Sequence, residues 1–500
     1  MSSAPPLTAI VSASSSSNQD RPAQQEATNL PDDVLIEIFE ILVPYHSQYH
    51  YTIDTTLSPW SVSQVCQSWR KVATSTPRLW CHIGITMNKP AVHQRDTVYL
   101  VQLALERAQD HLLSIRFHDD LRYQTLSHAI QQALVTRSHV WKQLDYKGGD
   151  LSPLQAAQGR LDRLESLCLS DDPEIPSLLG AEPPLALFAV APHLRVAKIR
   201  DHTRIDLPWA QLEFYEASDG RPTIDLLRCP RLINYSGPSL PSRGDIPAFT
   251  GNFRHSCLTH LAIFSVEGLQ RLEAPTLTML KIAVATPGIF VDCADFVRRS
   301  QCRLNIFGLG MLATVEDKAQ VVEFLRICPS ITELHLMWVD IAPAVLDTIL
   351  GPLALISKDV QEDPSHLGLT VPLVPKLTAL NFDFRRTHAN ADLWDEFDQS
   401  GLIALFESRY YLDDTRWHGT KYVDRLEAVI ICTQASARSY EVPEFGELTD
   451  AGFCLLILEM DEYGRPIHDL RQFYLDPDPD LETDEDEEEE EYGGMDMDDG

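Results

Sequence analysis

The feature that most constrains this chain of 500 residues is a short pattern, apolar-x-x-apolar-x-apolar, that returns through most of its length. Copies stand at Leu112/Ile115/Phe117, Trp141/Leu144/Tyr146, Leu164/Leu167/Leu169, Leu194/Ala197/Ile199, Leu212/Tyr215/Ala217 and Leu258/Leu261/Ile263. They continue at Leu277/Leu280/Ile282, Leu304/Phe307/Leu309, Ile331/Leu334/Leu336, Leu377/Leu380/Phe382 and Leu426/Val429/Ile431. Most begin 18 to 30 residues after the one before, but three gaps run to 46, 46 and 49. A weak copy at Leu232 divides the first long gap, and the other two read as doubled steps. Such a period predicts one short strand and one returning segment per copy, each unit burying its apolar face against the next. Several copies follow a proline turn, at Ala191-Pro192, Cys229-Pro230, Ala274-Pro275, Cys328-Pro329 and Val374-Pro375. Proline there would end the preceding helix and set up the strand.

The interval resembles that of leucine-rich repeats, although the copies are degenerate and lack an Asn ladder. The resemblance implies a curved solenoid over 85–475 whose concave sheet face recognises a protein through its variable x positions. Glu333, His335 and Trp338 in one unit, and Asn381 and Asp383 in another, occupy such positions. An irregular α/β domain of alternating short strands and helices is the alternative.

Ahead of this body, LPDDVLIEIFEILV at 30–43 predicts a helix, with Pro31 and the acids Asp32 and Asp33 in a first turn that tolerates proline and favours negative charge. Val34, Leu35, Ile36, Ile38, Phe39, Ile41, Leu42 and Val43 nearly surround it, so it needs partners on more than one side. Pro44 ends it, and 44–59 reads as a loop. A second helix is expected over 60–75, with Val62, Val65, Cys66, Trp69, Val72 and Ala73 on one face; Pro77 stops it, and Leu79 and Trp80 follow as anchors. Two short helices make too small a core to stand alone, so the segment must lean on a partner or on the rest of the chain.

These residues resemble the F-box, whose loose pattern is LPxE, apolar positions along a first helix, VCxxWR, and PxLW. The matches are Leu30 and Pro31; Leu35, Ile38, Phe39 and Leu42; Val65, Cys66, Trp69 and Arg70; and Pro77, Leu79 and Trp80, with Asp33 where the pattern has Glu. The arrangement is similar to the large F-box families of mushroom-forming fungi, in which a repeat body follows the motif. The resemblance implies a domain at 28–84 that docks a Skp adaptor protein of a cullin–RING ubiquitin ligase. Leu30, Pro31, Leu35, Ile38, Phe39, Leu42, Val65, Cys66, Trp69, Leu79 and Trp80 would form the adaptor-binding set. The expected fold class is thus α+β or α/β: a small helical F-box, a leucine-rich-repeat-like solenoid, a disordered N-terminus at 1–27 and a disordered acidic tail at 476–500. The expected function is a non-enzymatic substrate-recognition subunit of a Skp–cullin–F-box ligase. A protein-interaction scaffold without a degradation role is the alternative.

Charge narrows the partners. The formal net charge is −32, and 15 acids with no Lys or Arg fall within 476–500, eight of them consecutive at 484–491. Nothing in that balance attracts nucleic acid or anionic lipid. The serine-rich 1–27 and the acidic tail are too polar to offset chain entropy by burial. The start lacks a signal-peptide pattern, and no apolar run is long enough for a membrane span. Ten cysteines lie scattered without a CxxC pair, as reduced thiols of a cytoplasmic or nuclear protein do.

No Gly-rich phosphate loop, GxSxG, HExxH or zinc knuckle occurs. His46 and His50 fall in a loop, Asp292 and Asp295 beside Cys293 fit an exposed helix start, and Arg298-Arg299 and Arg385-Arg386 read as solvated charge. No catalytic residue, metal or cofactor is expected.

Overall fold

In the computed structural model of the chain the last two residues of each apolar triad lie on a strand. The structure describes residues 30–43, 53, 55–86, 94–118, 124–148, 151–170, 186–200, 205–217, 226–237, 252–310, 318–337, 349–354, 373–383, 399–410, 423–433 and 454–459. The expected disordered segments at 1–27 and 476–500, the His46/His50 pair, Trp338 and Arg385-Arg386 lie outside them. Two units make up the chain, Met1–Pro241 with His255–His260, and Ser242–Arg254 with Leu261–Gly500.

The first unit opens with helices α1 (Asp32–Leu42), α2 (Val62–Val65) and α3 (Gln67–Ser75), a 3-10 turn (Pro77–Trp80) and strand β1 (His82–Thr86). There follow α4 (Gln94–Ala108), β2 (Leu113–His118), α5 (Gln124–Val135), β3 (Trp141–Lys147), β4 (Ser166–Ser170), β5 (Val196–Arg200), β6 (Phe214–Ala217) and β7 (Asn234–Gly237). Each strand pairs in parallel with the next in chain order. Register brings equivalent triad positions together, so Leu144, Leu167, Ala197, Tyr215 and Tyr235 form one buried row. Two residues on, Tyr146, Leu169, Ile199 and Ala217 form another on the same face, as the two-residue strand period requires.

The second unit holds a small parallel pair, β8 (Phe253–Arg254) with β10 (Leu272–Glu273), while β9 (His260–Ile263) runs across the unit boundary. Its other elements are β11 (Met279–Ile282), α6 (Ile289–Ser300), β12 (Ile306–Gly310), α7 (Lys318–Ile327), β13 (Glu333–Met337), β14 (Ala379–Asp383), α8 (Gln399–Tyr410), β15 (Ala428–Thr433) and β16 (Cys454–Glu459). From β11 to β16 the pairing is again parallel and sequential, with Leu280, Phe307, Leu334, Leu380 and Val429 in one buried row.

A tight turn introduces the strands. The amides of Leu194, Leu232, Leu277, Ile331 and Leu377 donate to the carbonyls of Ala191, Cys229, Ala274, Cys328 and Val374, three residues back, at 3.1–3.3 Å. Pro192, Pro230, Pro275, Pro329 and Pro375 take the second turn position, where the fixed proline φ fits. Return length then decides what crosses back. Copies 18 to 23 residues apart have room for a 3-10 turn, at Ser152–Ala157, Trp209–Gln211 and Leu269–Arg271; copies 27 apart accommodate the 12 and 10 residues of α6 and α7.

The long gaps before Leu377 and Leu426, read from sequence as doubled steps, are single ones. Leu334 on β13 pairs with Leu380 on β14, which pairs with Val429 on β15, leaving no place for an intervening strand. The extra residues lengthen the return instead. Among the described residues no helix is long and apolar enough to cross a membrane.

Candidate functional site

The helical segment at the start of the first unit divides its apolar residues between two sides. Helix α1 begins where Leu35 donates its amide to the Pro31 carbonyl at 3.1 Å, with Asp32 and Asp33 beside the positive end of the helix dipole. It stops because Val43, the residue before Pro44, is pushed into extended backbone. Leu35, Phe39 and Val43, four residues apart, are buried, and the Phe39 ring lies 5.1 Å from that of Trp69 on α3. The other side carries Leu30, Val34, Ile38, Ile41 and Leu42, also at helical spacing. Ile41 is 82% exposed and Leu42 50%, Leu30 and Val34 are exposed, and Ile38 is half-buried.

The second expected helix is broken at Cys66, whose extended backbone separates α2 from α3. Its thiol accepts the Trp69 amide at 3.4 Å, acting as the N-cap of α3, and Arg70 Nε donates across the break to the Ser63 carbonyl at 2.9 Å. The break also turns one residue out. Val62, Val72 and Ala73 are buried as the spacing predicts, whereas Val65 is 61% exposed. Behind them Trp60 meets Trp80 edge to face at 4.7 Å, and the Trp80 indole donates to the Ala73 carbonyl at 2.8 Å. The guanidinium of Arg107, from α4, covers both indoles.

Of the residues assigned to adaptor binding, Leu35, Phe39, Leu79 and Trp80 lie inside the segment. Leu30, Pro31, Leu42 and Val65 are exposed, and Ile38, Cys66 and Trp69 are half-buried. Val34 and Ile41 complete the exposed stripe but stand at no fixed position of the motif; their spacing from Ile38 was the available signal.

In the second unit, His335 and Asn381 each stand between two buried strand neighbours, and Glu333, two residues before His335, shares its side of β13. His335 Nε2 meets Glu333 Oε2 at 3.2 Å. Burial holds His335 below the usual imidazole range, with Lys281 adding to the effect and Glu333 opposing it. Gly308, between the strands of Lys281 and His335, makes room for the lysine stem, since a Cβ there would lie 2.8 Å from Lys281 Cγ. This grouping has acid, base and cation but no nucleophile or electrophile. Among the described residues no group of three or more His, Cys, Asp or Glu could hold a metal. Asp295 pairs with Arg298 at 3.3 Å, Arg298 with Glu323 at 2.6 Å, and Arg299 donates to the Leu269 carbonyl at 2.6 Å. Arg299 is thus part-buried and bound to backbone, rather than the solvated charge its sequence suggests.

Residues 27–86 match the family model described as F-box-like. The chain therefore carries an F-box-like domain, as Leu30-Pro31, Val65-Cys66, Trp69-Arg70 and Leu79-Trp80 suggest. A search of curated proteins found no match.

Proposed function

From the F-box-like domain at residues 27–86 we propose that this protein is the substrate-recognition subunit of a Skp–cullin–F-box ubiquitin ligase. The observation that carries this is the two-sided α1: Leu35 and Phe39 complete the domain's own core, while Leu30, Val34, Ile38, Ile41 and Leu42 leave an apolar stripe at helical spacing. A stripe of that kind suits helix-in-groove docking to an adaptor, with a few apolar anchors contributing most of the affinity. The parallel strands of the body are read as a leucine-rich-repeat-like solenoid that presents a protein target. On this reading the chain holds the target while other subunits perform the chemistry, in a cytoplasmic or nuclear setting.

The experiment is co-purification of the full chain with a Skp adaptor, beside an Ile41→Asp/Leu42→Asp variant. Both positions are exposed, so the variant retains the fold. Capture of the native chain and loss by the variant supports the proposal; equal capture of both, or of neither, overturns it.

A further inference from the structure

The sheet of the second unit stops at β16, whose outer edge meets no strand among the described residues. Cys454 donates its amide to the Glu427 carbonyl at 3.4 Å, toward β15. Alternation along a strand therefore turns the N–H and C=O groups of Leu455 and Ile457 to the open side. An unpaired edge of this kind recruits another strand unless something covers it.

The chain itself supplies a candidate just beyond β16, in residues 460–500, outside the described ones. There the apolar-x-x-apolar-x-apolar pattern returns once more, at Leu470, Phe473 and Leu475. Register makes Gly452, Leu455 and Ile457 the corresponding positions of β16, so the step is 18 residues. The step from Leu194 on the β5 side to Leu212 on the β6 side is also 18, and Pro208 stands four residues before Leu212 as Pro466 stands four before Leu470. In that earlier step Pro208 precedes the 3-10 turn Trp209–Gln211, the Leu212 amide closes the turn on the Trp209 carbonyl at 3.3 Å, and β6 then pairs with β5. A return of the same length with its proline in the same place fits residues 466–475 to the same path.

Charge permits it. Residues 470–475 carry no acid and one cation, Arg471, so the chain's −32 does not hold them off. The run Asp476-Pro477-Asp478-Pro479-Asp480 that follows has the charge and the missing amides that discourage a further strand. Tethering through residues 460–469 favours this occupant over a strand from another molecule, since a short linker holds its cargo at an effective concentration of about millimolar.

We propose that the outer edge of β16 is the docking site of residues 470–475, which add a parallel strand with Phe473 opposite Leu455 and Leu475 opposite Ile457. Gln472 then stands opposite Cys454, which is exposed. The proposal requires neither adaptor nor target and is independent of the F-box reading.

The test is a cross-link in the full chain. Paired Cα atoms on neighbouring strands, about 5 Å apart, fall within disulfide range, whereas a residue two places along is about 8 Å away and falls outside it. With oxidised glutathione, Gln472→Cys should bond to Cys454 within one chain, read by peptide mapping, about tenfold or more faster than Tyr474→Cys does. Adding Cys454→Ser should abolish the product. Hydrogen exchange gives a second measure without oxidation: the Leu455 and Ile457 amides should be protected in the native chain and exchange about tenfold or more faster in Phe473→Asp/Leu475→Asp. Unchanged exchange over β11 to β13 shows that the variant is otherwise folded. Absence of the Gln472→Cys product, equal rates at the two positions, a product joining two copies, or equal Leu455 and Ile457 exchange in native chain and double variant overturns the proposal.

Discussion

Arg107 lies over the indole of Trp80, its guanidinium carbon 4.3 Å from the ring centroid and 5.1 Å from that of Trp60. The tryptophans belong to the F-box-like segment and the arginine to α4, which follows β1, so the contact joins the motif to the elements after it. Two short helices lack a core of their own, and this is where they lean on the rest of the unit. A cation over an aromatic face contributes about 0.5–2 kcal/mol, more when desolvated, and the arginine stem adds packing. Arg107→Ala should lower the denaturant midpoint by an amount worth about 1–2 kcal/mol. Arg107→Met, which keeps most of the stem, should lose less. A midpoint unchanged by the alanine variant would show that the contact holds nothing.

The two sides of α1 should separate in mutation. Phe39 is fully buried against Trp69, so Phe39→Ala removes core and should cost about 3–5 kcal/mol, with adaptor binding falling as a consequence of unfolding. Ile41 is exposed, so Ile41→Asp should leave stability within about 0.5 kcal/mol while weakening adaptor binding. Chemical denaturation of both variants beside adaptor capture gives the comparison. Stability loss of similar size in both would place Ile41 in the core and remove the stripe.

Sequence periodicity revealed the strands because a parallel registered sheet repeats the same demand on each: one apolar residue at the turn, then two on the inner face. Apart from the short pair β8 and β10, two strands escaped it for local reasons. At β1 the triad is Trp80, Ile83 and Ile85, but Trp80 also ends the F-box pattern and was assigned there. At β16 the position matching Leu426 is Gly452, and the continuous run CLLIL hides the alternation. The long returns were misread because a gap in a pattern does not distinguish a missing strand from a longer crossing; direct pairing of β13 with β14 does. In the F-box-like segment the apolar positions were legible, but which of them face inward was not. That depends on the extended break at Cys66, a single-residue event without a periodic signature.

Arg409 is fully buried at the end of α8 and donates to three carbonyls, of Leu353 at 3.0 Å, Leu373 at 2.6 Å and Val374 at 3.4 Å. Burial lowers it to about 10, which keeps it protonated at neutral pH, and among the described residues no carboxylate pairs with it. Arg409→Met would leave those carbonyls dry and should cost about 3 kcal/mol or more. Arg409→Lys cannot reproduce the planar fork and should also destabilise, though less. Denaturant midpoints at constant m-value provide the check. A methionine variant as stable as the native chain would mean that water replaces the guanidinium.

Burial holds both His118 and His335 below the usual histidine range; Arg116 and Lys147 add to it for His118 and Lys281 for His335, while Asp145 and Glu333 pull the other way. An imidazole depressed in the folded state takes up its proton later than in the unfolded chain as pH falls. Its contribution to stability is therefore full above about pH 6.5 and is lost progressively below it. Stability measured at pH 7.5 and 5.5 should decline, and His118→Gln/His335→Gln should reduce the decline. An identical decline in the double variant would assign it to carboxylates alone.

Three glycines should respond to alanine differently, each for its own reason. At Gly310 a Cβ would meet the Ala283 carbonyl oxygen at 2.4 Å, a backbone atom of the neighbouring chain segment, and the Gly310 carbonyl itself accepts the Ala285 amide at 2.9 Å. Relief would require moving a hydrogen-bonded strand, so Gly310→Ala should cost about 1–3 kcal/mol or more. At Gly308 the obstruction is the Lys281 stem, which can swing away, so its alanine variant should cost less. Gly159 has open space around it but a φ of +74°, so Gly159→Ala carries backbone strain alone, about 1 kcal/mol. Melting temperatures of the three variants should rank Gly310→Ala lowest. A Gly308→Ala variant as damaged as Gly310→Ala would mean that Lys281 is fixed in place, and that its contacts with Glu333 and His335 are stronger than their half-exposed setting suggests.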